Sequence, residues 1–328
     1  MIESVANPEE EIEPMTQTVY TAVIFAAIDV SDATAASDQP PAGLVGLLER
    51  SLNVDGQVGE SIRNAIGPNL PWLLAKFPTW TDAHWAGLIG DEAPTKLGEY
   101  TFHAYLAHGK PSAKLLRRCP DELWKAMRSA PAAAQVHVMH GMLWELDGYE
   151  AGTVVTKLAA VSGTAVSGAA GWLGMAAARS PDLDLKPAAR FWEAALRTDL
   201  PAEQYEGFGH FAVVEELDDE TWLDLVLPTA QVCTPGLALA GENARRAATH
   251  PDDARALRLV AALLRSRLEA WEIFNVGRTG LELFRTTGTA DSDAIAELQE
   301  RLLECEFYEV RTTDGADALP PVADPGLA

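Results

Sequence analysis

Two histidines stand three residues apart in the segment His137-Val138-Met139-His140. At this spacing on a helix both rings lie on one face, which is a spacing that zinc sites use. A zinc site needs at least one more ligand from the protein. The nearest candidate, Glu145, fits that face only loosely. The sequence therefore predicts structural roles for both histidines and no metal site.

Other histidines lie near carboxylates in sequence, which are the residue types of acid–base catalysis. Nucleophilic and acid–base sites need a nucleophile, a base and a group that orients the base. Spacing defines no such set here, and a triad of Ser162, His210 and an aspartate would be arbitrary. We expect solvated or capping roles for these groups. They are His84, His103 and His108 with Asp82, Asp91 and Glu99.

The chain has no usable nucleotide-binding pattern. Its only Gly-Lys pair, Gly109-Lys110, is followed by Pro111 and has no glycine five residues earlier, as a phosphate-binding loop requires. A glycine-rich stretch from 163 to 171 lacks the preceding strand of a dinucleotide-binding fold. We therefore predict no catalytic residues and no cofactor.

Basic residues cluster in two stretches of an otherwise acidic chain. Such clusters are explained by solvated helix faces whose cations pair with neighbouring carboxylates. Alternatively, the first cluster binds an acidic protein surface or a phosphate-bearing ligand. The first basic island is Lys110, Lys114, Arg117, Arg118, Lys125 and Arg128; the second is Arg245, Arg246, Arg255, Arg258, Arg265 and Arg267. The candidate interaction residues are Lys114, Arg117, Arg118, Arg255 and Arg258.

Composition limits the classes of partner. The 328 residues include 48 acidic and 25 basic side chains, for a net charge of −23. This charge repels a polyanion, so nucleic-acid binding is not expected. The three cysteines are far apart and form no CxxC pair, which favours a reduced cytoplasm. Length alone suggests about two domains, whereas a helical array would form one extended unit.

Leu158–Ala178 is the strongest membrane candidate, because it contains no charged residue. It consists mostly of alanine, glycine and serine, which are weakly apolar and allow helices to approach closely. No lysine or arginine precedes Arg50, so the basic start of a secretory signal is missing. We predict that the segment packs inside the protein and that the chain does not enter a membrane.

Apolar residues recur every three or four positions, and no alternating strand pattern bounded by turns appears, although 152–156 and 307–312 are β-branched. The sequence predicts an all-α, irregular helical-repeat (HEAT-like, α-solenoid) array of antiparallel helix pairs. Its parts are an acidic flexible N-terminus (1–15), a helical-repeat domain (16–312) and a disordered tail (313–328). The predicted helices include Thr16–Val30, Gly43–Asn53, Gly56–Ile66, Ala130–Leu146, Pro187–Arg197, one opened by Pro201, one with Asp218 and Asp219 at its N-cap, one started by Pro251-Asp252-Asp253, Trp271–Phe284 and Asp291–Cys305.

The region from Pro68 to Met127 contains four of the nine tryptophans among short proline and glycine breaks. Tryptophan has a large apolar ring and one polar N–H group, so it suits contacts between helices. We expect each ring to be buried there and each N–H group to bond a carbonyl. These residues are Trp72, Trp80, Trp85 and Trp124.

Five apolar and aromatic segments follow one another between Ile62 and Thr312: LPWLLAKFPTWTDAHWAGLIG, FHAYLAHGKPSAKLLRRCPDELWKAM, FWEAALRT, YEGFGHFAVVEELDDETWLDLVL and AWEIFNVGRTGLELFRTTGTADSDAIAELQERLLECEFYEV. In this order they resemble the C-terminal helical region of bacterial anti-phage signalling ATPases and sirtuin-like defence proteins. The resemblance implies a HEAT-like sensor or scaffold that carries no catalytic residues. In those proteins the ATPase or NAD-consuming modules lie upstream, so we expect a separately encoded partner module or a detached fragment.

The resemblance, together with the missing catalytic patterns, implies a non-enzymatic scaffold or sensor subunit in bacterial anti-phage defence. Its expected partner is a protein, either a defence effector or an ATPase. A purely structural domain of a larger assembly is a further possibility. The alternative from another class is a hydrolase or transferase with a site in a helical pocket, which a concave cluster of carboxylates and histidines with shifted pKa values would favour.

Overall fold

A computed structural model of the chain describes residues 42–91, 94–289 and 291–313. These residues form 17 α-helices and three 3₁₀-helices, and they contain no strand. The predicted all-α helical-repeat fold is confirmed. The chain divides into two compact units, with the boundary between Glu150 and Ala151. The predicted N-terminus (1–15), helix Thr16–Val30 and residues 314–328 of the predicted tail lie outside the described residues.

The first unit is built from short helices. Prolines stand at the start of four of them, where the missing N–H group has no helical partner to lose. The helices are α1 (Ala42–Leu52), α2 (Gly56–Ile66), α3 (Leu70–Lys76), α4 (Pro78–Ala83), α5 (Trp85–Leu88), α6 (Lys96–His108), α7 (Ala113–Arg118), α8 (Pro120–Ser129) and α9 (Pro131–Leu143), with a 3₁₀ turn at Gly67–Asn69.

The tryptophans of this unit pack between helices, but only part of their expected bonding is observed. Trp80, Trp85 and Trp124 are buried, and Trp72 is half-buried. The prediction that each N–H group bonds a carbonyl is wrong for Trp72 and Trp80, whose Nε1 atoms have no partner among the described residues. Ring contacts hold them instead. Trp72 meets Phe77 edge-on at 5.1 Å, and Trp80 stacks on His84 at 4.5 Å between ring centroids.

The second unit has longer helices with clear starts. Asp218, Asp253 and Asp291 each accept a hydrogen bond from a backbone N–H group of the following turn, at 2.8–2.9 Å, as expected for N-cap residues. The elements are α10 (Ala151–Ala159), α11 (Ala165–Arg179), α12 (Lys186–Arg197), a long 3₁₀ segment (Ala202–Val213), α13 (Asp219–Val232), α14 (Ala240–Ala248), α15 (Ala254–Arg265), α16 (Ala270–Thr286), α17 (Ser292–Glu304) and a final 3₁₀-helix (Tyr308–Thr313).

The helix that Pro201 opens is a 3₁₀-helix rather than an α-helix. Runs of this length are uncommon, because 3₁₀ hydrogen bonds have poorer geometry. Other elements hold this one in place. The Gln204 side chain donates to the Ser162 carbonyl at 2.7 Å and accepts from the Val166 N–H group at 2.9 Å, which ties the segment to the start of α11.

The small residues of α11 allow the long 3₁₀ segment to approach its backbone. A Cβ atom added to Gly207 would lie 1.8 Å from the Ser167 carbonyl oxygen, and one added to Gly174 would lie 2.8 Å from Cβ of His210. Of the candidate membrane segment Leu158–Ala178, residues 158–159 end α10 and residues 165–178 belong to α11, which buries Val166, Ala169, Leu173 and Ala177 but leaves Met175 exposed. None of the helices in the described part of the chain has the length and apolar character that a bilayer crossing requires.

Candidate functional site

His137 is a hydrogen-bonding residue of the first unit's core. Its side chain is 1% exposed. Nδ1 lies 3.0 Å from the Tyr105 hydroxyl and Nε2 lies 3.1 Å from the Leu106 carbonyl oxygen. The neutral ring that donates from Nε2 and accepts at Nδ1 satisfies both contacts. Burial lowers the pKa of His137 from 6.5 to about 4, because charging the ring away from water is costly.

Four further histidines have local structural partners or are exposed. His140 bonds the Val136 carbonyl in its own helix, and His84 bonds the Trp80 carbonyl at 2.9 Å. His103 and His108 are exposed on α6. Across residues 42–91, 94–289 and 291–313, no three His, Cys, Asp or Glu side chains are arranged to hold a metal ion.

The candidate residues of the first basic island have different surroundings. Arg118 pairs with Asp82, and its guanidinium carbon lies 3.8 Å from the ring centroid of Trp85. Lys114 donates to the Leu74 carbonyl at 3.2 Å. Arg117 is exposed and makes no ion pair with any residue that the structure describes. Arg118 is thus paired within the fold, whereas Lys114 and Arg117 are exposed and form no ion pair with a carboxylate among the described residues.

The second basic island is joined to neighbouring elements by ion pairs. Arg255 bonds Asp224 of α13 at 2.6 Å and Asp253 at 2.7 Å, and Arg258 bonds the N-cap residue Asp291 at 2.8 Å. The hydrogen bonds to Asp253 and Asp224 raise the pKa of Arg255. The cations of this island largely connect one helix to the next.

A groove of about 580 Å³ lies between the start of α14 and the first half of α16. Two aromatic side chains line it and project into solvent, Trp271 being 66% exposed and Phe274 56%. A cluster of exposed apolar side chains marks an interaction site, because a partner that covers the cluster removes apolar surface from water and so stabilises the complex. We call this site the α14–α16 groove. The lining residues that matter for its chemistry are Leu239, Glu242, Arg245, Trp271, Phe274 and Arg278.

Helix α16 has a buried face and an uncovered one. Val276, Gly280 and Leu283 are buried against neighbouring elements. Trp271, Phe274 and Arg278 stand at positions i, i+3 and i+7, which place them together on the other face. The groove therefore lies on the face of α16 that the neighbouring described elements leave exposed.

The charged groups of the groove are unevenly paired. Glu242 and Arg245 form an ion pair along α14. The Glu272 carboxylate accepts the Glu269 backbone N–H group at 3.1 Å in the capping box that starts α16. Arg278 lies over the Phe274 ring at 5.8 Å and forms no ion pair within the described residues. Among the described residues, Arg278 is thus the groove cation without a carboxylate partner, while Glu272 keeps its negative charge at the start of α16.

Leu239 has a strained backbone at the edge of the groove. Its φ is 53° and its ψ is 42°, the left-handed conformation that costs a residue with a Cβ atom about 1–2 kcal/mol. The buried Asn243 side chain holds it there by donating to the carbonyls of Leu239, Ala238 and Gly209 at 3.0–3.1 Å. Strain of this kind concentrates at binding sites, where the surrounding structure enforces it.

No relative identifies this site. Comparisons with protein-family models, with curated proteins and with solved structures gave no match to this chain. The resemblance to bacterial defence proteins therefore stays a prediction. The function is therefore inferred from the residues of the chain itself.

The sequence did not indicate the groove residues as a site. The sequence predicts a helix that contains Trp271 and Phe274, and their spacing is that of an ordinary packed face. The signal in the sequence is the pair of aromatics followed by Arg278, three residue types that are common at protein interfaces. The sequence cannot show that no helix among the described residues covers this pair.

Arg246 is the structural arginine of the second unit. Its guanidinium donates to the carbonyls of Phe211 and Val214 at 3.1 and 2.9 Å and also to the Leu217 carbonyl. It bonds Asp219 at 2.8 Å. The side chain thus closes the C-terminal end of the long 3₁₀ segment and anchors α14 to it.

We expect Arg246→Met to reduce the free energy of unfolding of the second unit by about 2 kcal/mol. The substitution removes a charged donor from three carbonyls that lie near the protein interior. Arg245→Met is the matched control on the next residue. Its ion pair with Glu242 is exposed, so the change should be less than about 0.5 kcal/mol. Urea denaturation at pH 7 measures both, and equal losses in the two variants would contradict the assignment.

Cysteines are present in both units as free thiols. Cys119 and Cys233 are buried, and Cys305 is partly exposed. Burial raises the pKa of Cys119 and of Cys233 to about 12, and it also raises the pKa of Cys305. Buried thiols in this state are unreactive, because the thiolate is the nucleophile.

Proposed function

We propose that this chain is a non-enzymatic helical-repeat subunit that binds a protein partner through the α14–α16 groove. The observation that carries the proposal is the exposed aromatic pair, Trp271 and Phe274, beside Arg278, a cation without an ion pair in the described part of the chain. Tryptophan and arginine are enriched among the residues that contribute most to binding at protein interfaces. The two rings project outward rather than enclose a cavity, which suits a protein surface more than a small substrate.

The biological setting of the proposal comes from the resemblance of residues 62–312. By that resemblance the chain serves as a scaffold or sensor in bacterial anti-phage defence. Its partner is a separately encoded effector or ATPase, and its location is the cytoplasm. No cofactor is part of the proposal. The hydrolase or transferase alternative stays a prediction, and the histidines with lowered pKa values, His137 and His210, are not among the groove residues.

The test is recovery of the partner from the native cells with the tagged full chain and with Trp271→Ala/Phe274→Ala. We expect a protein that accompanies the wild type in stoichiometric amount and is lost with the double variant. Cells that depend on the double variant should also lose protection against phage at an unchanged level of the protein. If the partner binds only in infected cells, the chain acts as a sensor. If the partner binds with or without infection, the chain acts as a scaffold.

The control variant is Val213→Ala/Val232→Ala, which removes two other exposed apolar side chains of the second unit. It should retain the partner. A partner that binds the groove variant as well as it binds the wild type would refute the role of the groove. A defect shared by both variants would also refute it, since a specific site requires a difference between them.

A further inference from the structure

We infer that the α14–α16 groove binds a short amphipathic helix of its partner, which carries an apolar side chain and, one turn away, a carboxylate. This inference rests on the proposed function and specifies the chemistry of the ligand. The apolar side chain would cover Trp271 and Phe274, and the carboxylate would pair with Arg278.

The charge of the ligand follows from the pairing inside the groove. Glu242 pairs with Arg245, and the Glu272 carboxylate accepts the Glu269 N–H group in the capping box. Arg278 is the cation of the groove that has no ion pair among the described residues, and its guanidinium carbon lies 5.8 Å from the centroid of the Phe274 ring. A carboxylate placed there meets a guanidinium that is positioned by its aromatic neighbour, in a geometry that permits two parallel hydrogen bonds. A lysine placed there would meet a like charge.

The spacing of the ligand follows from the helical stripe on α16. Phe274 and Arg278 are four residues apart, which is about 6 Å along the helix axis, and Trp271 is about 10.5 Å from Arg278. Residues i and i+4 of a partner helix that lies along the groove have the same separation. The apolar residue at i then contacts the aromatic pair while the acidic residue at i+4 reaches Arg278.

The helical form of the ligand follows from the walls of the groove. Both walls are helices, so this part of the described structure offers no strand edge that could pair with an extended peptide. A helix satisfies its own backbone groups and offers only side chains, as in other helix-in-groove complexes. Leu239 adds apolar surface opposite α16, and its strained backbone keeps that side chain at the edge of the groove.

The probe is a phage-displayed library of helical peptides in which two positions, i and i+4, are randomised. It is selected on the immobilised full chain with the Trp271→Ala variant in solution as competitor. Selected peptides are then synthesised, labelled and titrated by fluorescence anisotropy. We expect an apolar residue at one position and Asp or Glu at the other. Affinity should fall at least tenfold with Arg278→Gln and about thirtyfold with Trp271→Ala, which corresponds to about 2 kcal/mol.

Reversing the charge of Arg278 gives the most discriminating experiment. Arg278→Glu should reject the acidic peptides and accept versions in which the acid is replaced by lysine. Arg285→Glu, the same change on an exposed residue of α16 outside the groove, should leave all affinities unchanged. Gly241→Leu is a second groove variant. Its Cβ atom would lie 3.9 Å from the nearest side chain, so it is accommodated, and the leucine should block binding without removing an aromatic ring.

Two results would overturn the inference, and they are distinguishable. Peptides that depend on Trp271 but carry no acid and ignore Arg278→Glu would refute the charge assignment and leave the groove as a binding site. Selection that yields no helical peptide both weakened by Trp271→Ala and blocked by Gly241→Leu would refute the groove as a helix-binding site. Recovery of the natural partner by the wild type and its loss with Trp271→Ala/Phe274→Ala tests the proposed function separately.

Discussion

Replacing Gly207 by alanine is expected to destabilise the second unit by about 3 kcal/mol. The added Cβ atom would lie 1.8 Å from the Ser167 carbonyl oxygen and 2.9 Å from the Gly171 nitrogen. Both atoms belong to the backbone of α11, so neither can rotate away as a side chain could. The long 3₁₀ segment must move off α11, which loses packing and the 3.0 Å bond from the Gly207 N–H group to the Ser167 hydroxyl.

Gly152→Ala is the matched control for this prediction. Gly152 lies in α10 of the same unit, and nothing lies within 4 Å of its added Cβ atom. Alanine has the higher helix propensity, so this variant should be as stable as the wild type or more stable by up to about 1 kcal/mol. Thermal and urea unfolding of the two variants provide the comparison. An unchanged stability of Gly207→Ala would show that the close approach of the two elements is not required.

Stability of the first unit is expected to fall as the pH is lowered from about 6.5 to about 4, because His137 is held neutral. In the unfolded chain this ring takes up a proton near pH 6.5, whereas in the folded chain its pKa is lowered to about 4 by burial. The unfolded state therefore binds the proton first, and each pH unit in this window costs about 1.4 kcal/mol. The loss reaches about 3 kcal/mol at pH 4 and does not grow below it.

His137→Gln isolates this contribution. Glutamine can donate to the Leu106 carbonyl and accept from the Tyr105 hydroxyl, but it does not titrate. Urea unfolding of the first unit between pH 7 and pH 4 should show a reduced slope in this variant. An equal slope in both proteins would rule out His137 as the origin of the pH dependence.

The N-cap carboxylates should affect stability in a separate range of pH. Hydrogen bonds hold the pKa values of Asp218 and Asp291 below the ordinary value, chiefly from the N–H groups of Thr221 and Ala294. The contribution of these carboxylates is present above the unfolded pKa and is lost as the pH falls through the lower folded value. That range lies below the window of His137, so the two effects separate in one titration.

The helices of this fold could be predicted from the sequence because their signals are local. Gly56–Ile66 is bounded as expected, Asp218 caps α13 as expected, and the helices predicted to begin at Pro251-Asp252-Asp253 and at Asp291 are present as α15 and α17. The β-branched stretch at 152–156 is helical, as the lack of alternation around it indicated. Helix bounds and N-caps depend on residues within one or two turns of each other.

Features that depend on distant partners could not be predicted. The segment after Pro201 has helical spacing at Tyr205, Phe208 and Ala212, yet it forms a 3₁₀-helix that is held by α11 and by Arg246. The groove shows the same limit. The apolar spacing of Trp271 and Phe274 is equally compatible with a buried face, and only the arrangement of the neighbouring helices leaves it uncovered.

Each unit contains a buried cysteine, and the rate at which this thiol is alkylated reports how often the unit opens locally. Cys119 belongs to the first unit and Cys233 to the second, and both are shielded from alkylating reagents in the closed state. Cys305, being partly exposed, can be blocked first with a mild reagent. The modification rates of the other two thiols, resolved by peptide mass, then give separate opening free energies from a single labelling time course, without any engineered probe.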